Sequence, residues 1–230
     1  MIGVFVQVRL DSNRLPEKAL LDLAGRPLIG HVMQALSGVP AEVHALVSEE
    51  RSAAVLEPLA EEYGFALFSG DPEDVLRRYA DAVRHFGVDT VVRATGDNPL
   101  VSARLVREIL QLHEERAADL SGFDDLPLGT GVEILSREAL LRADARAVDP
   151  YEREHVSPYL YRHPDRFRIL RTPAPEPYRL PEGRVTVDTP EDYQYVRQLM
   201  YDLYQGIPVE IGEVVQWIAG AQAGNIRRMA

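Results

Sequence analysis

Residues 2–18 read IGVFVQVRLDSNRLPEK. Ile2–Val8 is apolar and rich in β-branched side chains, the composition of a strand buried on both faces in a parallel sheet. Arg9–Lys18 then turns abruptly to arginine, serine, asparagine, proline and lysine. A donor-rich loop therefore leaves a buried strand at its carboxyl end, which is where open α/β sheets bind their ligands. Lys18 is the only lysine in the chain; the other 24 of the 25 basic residues are arginine. Arginine offers a planar fork, whereas lysine offers a compact, mobile point charge suited to a phosphate oxygen. The loop lacks the G-x-x-x-x-G-K-[ST] pattern. By its residues alone it is either a phosphate-binding loop built on Arg9, Ser12, Arg14 and Lys18 or an ordinary exposed turn.

Outward from this stretch, strand and helix signals alternate. RPLIGHVMQALSG (26–38) has apolar residues at helical spacing and ends in glycine, EVHALVS (42–48) reads as a second strand, and EERSAAVLEPLAEEYG (49–64) as a helix kinked or broken at Pro58. FALFSG is a short strand and turn. DPEDVLRRYADAVRHFG (71–87) is a helix with Asp71 as its N-cap and Pro72 at its first position. VDTVVRATG (88–96) is a strand, and a helix capped by Ser102 follows. This order calls for a mostly parallel sheet with helices on both faces. Beyond residue 120 the pattern loosens into turns, a helix interrupted near Pro158 and a proline-rich loop at 171–184. VTVD (185–188) then reads as a strand, followed by a helix capped by Thr189 with Pro190 at N1. The expectation is one domain spanning 1–230, with 121–184 as an insertion over the sheet edge, serving as a cap or a dimerisation region.

Composition narrows the function. A 230-residue chain that is 46% hydrophobic can bury a substantial core. The net charge of −11 argues against a nucleic-acid binder, which would carry a basic face. With no cysteine there is no disulfide, thiolate metal site or cysteine nucleophile. No apolar run approaches the roughly 18 residues of a membrane span, and no signal-peptide pattern opens the chain, so a soluble cytoplasmic protein is expected. The six histidines form no H-x-x-x-H pair. Trp217 reads as core or interface.

Two further stretches sit where strands end. GDNPL (96–100) places Asp97 at the carboxyl edge, where a carboxylate suits either a hard cation such as Mg²⁺ or an Asx turn. VDTPEDY (187–193) places Asp188 at a strand end; it either caps the following helix or joins Asp97 to make a minimal Mg²⁺ site. Glu191 and Asp192 read as partners of the helix dipole.

Together the three stretches resemble the cytidylyltransferase family of CMP-KDO and CMP-acylneuraminate synthetases, and in particular the spore coat polysaccharide biosynthesis protein F group. The family pattern R-x-G-S-x-R-L-P-G-K-x-L-x-x-L-x-G-x-P-L-I is matched by RLDSNRLPEKALLDLAGRPLI, its GDxPL turn by GDNPL, and its VDTPEDL by VDTPEDY. PLGTGVEILSREAL and REHVSPYLYRHPDRF resemble the spore-coat branch, so the likeness covers nearly the whole chain. It implies a three-layer α/β/α nucleotide-diphospho-sugar-transferase-like, Rossmann-like fold, commonly a homodimer. It implies transfer of CMP from CTP to an acidic sugar with release of pyrophosphate, in surface or spore-coat polysaccharide biosynthesis. On this likeness Lys18, with Arg9, Ser12 and Arg14, contacts the nucleotide phosphates; Asp97 and Asp188 hold Mg²⁺; Glu133, Glu154 and His155 face the sugar. The other readings are a sugar nucleotidyltransferase using a different nucleotide or a sugar phosphate, and a non-catalytic nucleotide-binding homologue. The chain departs from the pattern at Asp11 and Glu17, where the family has glycine. Glycine there permits positive φ and close approach to a phosphate, and each replacement adds negative charge.

Overall fold

In the computed structural model the backbone is described for residues 1–229 and side chains through residue 221. β1 (Ile2–Gln7) leads through residues 8–21, which include a 3₁₀ turn at Lys18–Leu20, to a small hairpin of β2 (Asp22–Leu23) and β3 (Arg26–Pro27), then α1 (Leu28–Leu36). There follow β4 (Val43–Glu49), α2 (Ala53–Glu62), β5 (Ala66–Gly70), α3 (Val75–Phe86), β6 (Thr90–Thr95) and α4 (Ala103–Glu115). The second half holds β7 (Leu120–Asp124), β8 (Glu133–Ser136), α5 (Arg137–Asp144), α6 (Pro150–His155), α7 (Pro158–Tyr161), β9 (Ile169–Pro173), α8 (Pro190–Leu203) and α9 (Ile211–Met229). Seven strands form one sheet in the order β5-β4-β1-β6-β8-β7-β9. Only β8 runs against the others. β7 and β8 are joined by a short loop with no crossover helix, and adjacent strands joined that way pair antiparallel.

β1 shows why the sheet lies inside. Val4, Phe5 and Val6 are all fully buried, so both faces are covered. Val4 and Val6 pack with α1, α2, α4, α8 and α9 in one core, whereas Phe5 packs with α3, α5 and α7 in the other. The two cores sandwich the sheet and produce the expected three layers.

Several expectations are corrected. Residues 121–184 do not lie over the sheet edge as a mere insertion: they supply most of β7 and all of β8 and β9 to the sheet itself. The third helix begins later than expected. Asp74, not Asp71, caps α3 by accepting from the Arg77 amide at 2.9 Å, while Asp71 closes a turn on the Glu73 and Asp74 amides. Two acids compete for the role, and the one at residue 74 stands next to the first apolar turn. α2 continues through Pro58. Residues 185–188 join no strand of the sheet; a bridge between Leu128 and Arg184 and the bond from Val187 N–H to the Asp97 carbonyl (2.9 Å) hold the run in place. Trp217 is half-buried against Tyr195 and donates to Asp202 at 2.8 Å.

Gly129 lets this last run approach. Its φ is +103°, and an added Cβ would stand 2.6 Å from the Thr186 amide nitrogen. Gly64 also has positive φ (+72°) but faces open space. Gly64→Ala should cost about 1 kcal/mol, the ordinary left-handed penalty. Gly129→Ala should cost about 2 kcal/mol or more, since the 185–188 backbone must also move. Equal urea midpoints for the two variants would contradict this reading.

Candidate active site

The loop after β1 is closed by the Glu17 amide donating to the Leu10 carbonyl at 3.0 Å. Glu17 has φ 52° and ψ 25°, a left-handed conformation, and begins the short 3₁₀ turn Lys18–Leu20. The position where the family pattern carries glycine thus requires a glycine-like backbone, and glutamate adopts it at a cost of about 1–2 kcal/mol. Ala19 is buried in the core and fixes the turn. Lys18 is thereby aimed inward, its side chain only 13% exposed.

The Lys18 ammonium has three N–H donors, and each has a partner. Nζ donates to Asp97 Oδ2 at 2.8 Å, to the Val187 carbonyl at 2.8 Å and to Asp188 Oδ1 at 3.0 Å. Asp97 stands on the turn after β6, where Thr95 donates to its Oδ1 at 2.6 Å. Asp188 is additionally paired with Arg14 (3.0 Å) and with Arg184 (2.8 Å). Burial pushes the Asp188 carboxyl up, but Lys18, Arg184 and Arg14 outweigh it and hold the group below the usual carboxylate value. Asp192 closes a capping box with Thr189 at the start of α8, accepting from the Asp188 and Thr189 amides, and so fixes the backbone that presents Asp188.

The opposite wall comes from α6. Arg153 ties this helix to Asp74 and Asp144. The helix ends at Val156, which is buried with φ 68° and ψ −64°. A β-branched residue at positive φ is strained, and such strain persists only where the surroundings enforce it. The turn sends His155 and Glu154 to the Lys18 side and Ser157 to the Glu133 side.

All the residues expected from the sequence except Glu133 line one cleft of about 340 Å³ at the carboxyl edge of the sheet. Glu133 lies on β8 and lines a neighbouring cavity of about 510 Å³. There it accepts from Arg93 at 2.8 Å and from Ser157 at 2.6 Å. Arg93 also donates to Gln7 at 3.1 Å and lies over the Tyr79 ring, whose hydroxyl burial pushes up to about 12. Among the described residues, Arg93 Nε and Asn98 Oδ1 are buried without a partner, and both residues line this second cavity. Thr95 joins the two spaces, accepting from Asn98 at 2.9 Å and donating to Asp97. Sequence reasoning missed Arg93, Thr95 and Arg184. A charged residue inside the apolar run TVVRAT was the available signal for Arg93, and the i, i+4 spacing to Asp188 was the one for Arg184.

Two carboxylates that share one ammonium fit a hard divalent cation that completes its shell with water and phosphate oxygens. They do not fit a protein-only cage, since among the described residues no three acidic, histidine or cysteine side chains cluster for a metal. A family model described as Cytidylyltransferase matches residues 4–214. The chain belongs to the cytidylyltransferase family. The spore coat polysaccharide biosynthesis protein SpsF of Bacillus subtilis is 29% identical over 217 residues, covering 91% of this chain and 90% of that protein. Among solved structures, a cytidylyltransferase from Leptospira borgpetersenii superposes with a TM-score of 0.87 at 24% identity, covering 96% of this chain and 95% of that one. A CMP:2-keto-3-deoxy-manno-octonic acid synthetase complexed with CTP superposes with a TM-score of 0.65 at 18% identity, covering 87% and 98%. These likenesses show that the cytidylyltransferase shares its nucleotidyltransferase-like fold with both structures. No helix among its described residues is long and apolar enough to cross a membrane.

The depressed Asp188 carboxyl gives a pH dependence of definite sign. A group with a lowered folded value contributes stability that is complete above its unfolded value, near 3.8, and is lost as pH falls through the lower folded value. Between about pH 5 and pH 2 the wild-type protein should therefore lose more stability than Asp188→Asn does. Urea midpoints across that range measure the difference, and parallel acid limbs would contradict it.

Proposed function

We propose that the protein transfers CMP from CTP to a hydroxyl of an acidic sugar, releasing pyrophosphate, for a surface or spore-coat polysaccharide. One observation carries the reading: a loop-borne lysine and two carboxylates from distant segments meet in one cleft at the carboxyl edge of the sheet, in a chain of this family. The CTP complex of the CMP:2-keto-3-deoxy-manno-octonic acid synthetase supports the choice of nucleotide and of an acidic acceptor, and the spore-coat relative supports the pathway class.

In this reading the acceptor hydroxyl attacks the α-phosphorus in line. The new P–O bond forms as the bond to the β-phosphate oxygen breaks, pyrophosphate departs, and the hydroxyl proton passes to water. Such a reaction needs positioning and charge neutralisation more than covalent chemistry. Arg9, Ser12 and Arg14 hold the triphosphate from the β1 loop. Lys18 offsets the charge that accumulates on the departing pyrophosphate. Asp97 and Asp188 would hold Mg²⁺, which would supply Lewis-acid stabilisation of the phosphate oxygens. Glu154 and His155 form the wall facing the transferred group. The acceptor occupies the neighbouring cavity beside Arg93 and Asn98, with Glu133 holding Arg93 in place.

Lys18→Ala and Asp97→Ala should each lower turnover at least about tenfold, roughly 1.4 kcal/mol of transition-state stabilisation. Pyrophosphate release measured with CTP, UTP, GTP and ATP across a panel of acid sugars is the test. Folded variants that keep wild-type rates would sink the site, and a preference for another nucleotide would sink the choice of CTP. Arg93→Ala should raise KM for the sugar more than that for CTP, because Arg93 lines the neighbouring cavity and reaches the cleft only through Gln7.

A further inference from the structure

Lys18 stands where a cation held by Asp97 and Asp188 would stand. All three of its N–H donors are used, on the two carboxylates and on the Val187 carbonyl between them. The remaining carboxylate oxygens are also engaged: Asp97 Oδ1 accepts from Thr95 and Asp188 Oδ2 from Arg184. Arg14 adds a further positive charge on Asp188. The two acids are thus already balanced by an ammonium and flanked by two guanidiniums. Counting Asp192, which shares Arg184, the cluster is electrically balanced, so a bare dication approaching it meets no excess negative charge and oxygens that have partners.

We propose that Lys18 is a built-in counter-ion that bars a divalent metal from Asp97 and Asp188 until a nucleoside triphosphate draws the ammonium away, so that metal and nucleotide load together. The inference rests on reading the cleft as a nucleotide and metal site. Three features of the chain permit the exchange. The Lys18 backbone is fixed by the buried Ala19 and by the Glu17–Leu10 bond, so the loop need not rebuild. The lysine stem is flexible and its head is a point charge, which can pass from carboxylates to phosphates without a fixed bonding plane. Arg9, Ser12 and Arg14 line the same cleft, so a triphosphate held by them lies beside the ammonium. A guanidinium in place of Lys18 would keep the charge but bind the carboxylates through a planar fork. That difference is a physical reason for retaining one lysine in a chain that otherwise uses arginine.

The test is Mn²⁺ binding to the full-length protein, followed by electron paramagnetic resonance of the free ion, without nucleotide and with CTP. Wild type should bind Mn²⁺ at least about tenfold more weakly without CTP than with it. Lys18→Met without nucleotide should bind at least about tenfold more tightly than wild type does, and the added substitution Asp97→Asn should remove that gain. Mn²⁺ should also raise the melting temperature of Lys18→Met and leave that of nucleotide-free wild type unchanged, since only a bound ligand stabilises the folded state. Lys18→Gln serves if the methionine variant does not fold. Equal Mn²⁺ affinity of wild type with and without CTP would overturn the proposal, as would a lysine-free variant that gains nothing. Neither result depends on turnover, so loss of pyrophosphate release, which would sink the functional reading, is a separate outcome.

Discussion

The three-way bond of the Lys18 ammonium is the constraint on which the site depends. It joins the loop after β1, the turn after β6 and the run before α8, segments separated by 79 and 170 residues in the chain. Each reaches the same point for its own reason. β1 and β6 are hydrogen-bonded neighbours in register, so their carboxyl ends are adjacent. The run before α8 belongs to no strand and is brought in by the Val187–Asp97 backbone bond and the close approach of Gly129. A lysine and two carboxylates, each at most a quarter exposed, would be costly to desolvate singly. Together they satisfy one another, and removing Lys18 leaves Asp97 without an ion-pair partner, whereas Asp188 keeps Arg14 and Arg184. The same geometry that assembles the cleft therefore ties together segments 170 residues apart.

Much of the first half was legible in the sequence. Parallel strands buried on both faces read as continuous apolar runs, as β1 does; β4 is buried over most of its length, β6 over half, and the edge strand β5 is only partly buried. Ser102 and Thr189 cap their helices as expected, because a serine or threonine before an apolar-periodic stretch has few other uses. The second half was less legible. β7, β8 and β9 are short, and β8 is reversed by a loop whose length sets its direction, a feature that hydrophobic periodicity does not encode. The run at 185–188 has a strand's composition but bonds to the turns at Leu128 and Asp97 and not to a strand of the sheet.

The candidate site was legible in part from strand ends. Lys18 and Asp97 follow β1 and β6, whereas Asp188 follows from the family pattern, since its run joins no strand of the sheet. Arg93 and Val156 follow from neither. Arg93 is tolerated inside β6 only because Glu133, Gln7 and the Tyr79 ring surround it, and those partners come from three other elements. Val156 is strained because the Arg153 clamp and the buried α7 fix the chain on either side. Both are products of tertiary packing: Arg93 lines the neighbouring cavity, and Val156 separates His155 of the cleft from Ser157, which donates to Glu133.

The two acids in the β1 loop, at odds with the family's glycines, now divide into separate problems. Asp11 is turned away from Lys18 and paired with Arg51 at 3.1 Å, with Arg9 at 4.0 Å, so its charge is offset at the surface. Its pattern glycine is not needed for backbone freedom, since Asp11 is absent from the residues with positive φ. Glu17 is the reverse case. Its left-handed backbone is the conformation that a glycine would supply, and its exposed side chain points to no partner among the described contacts. The loop geometry therefore survives both replacements. What Glu17 adds is negative charge one residue from Lys18, so on the proposed function its effect falls on nucleotide affinity at low ionic strength, where such surface charges are least screened.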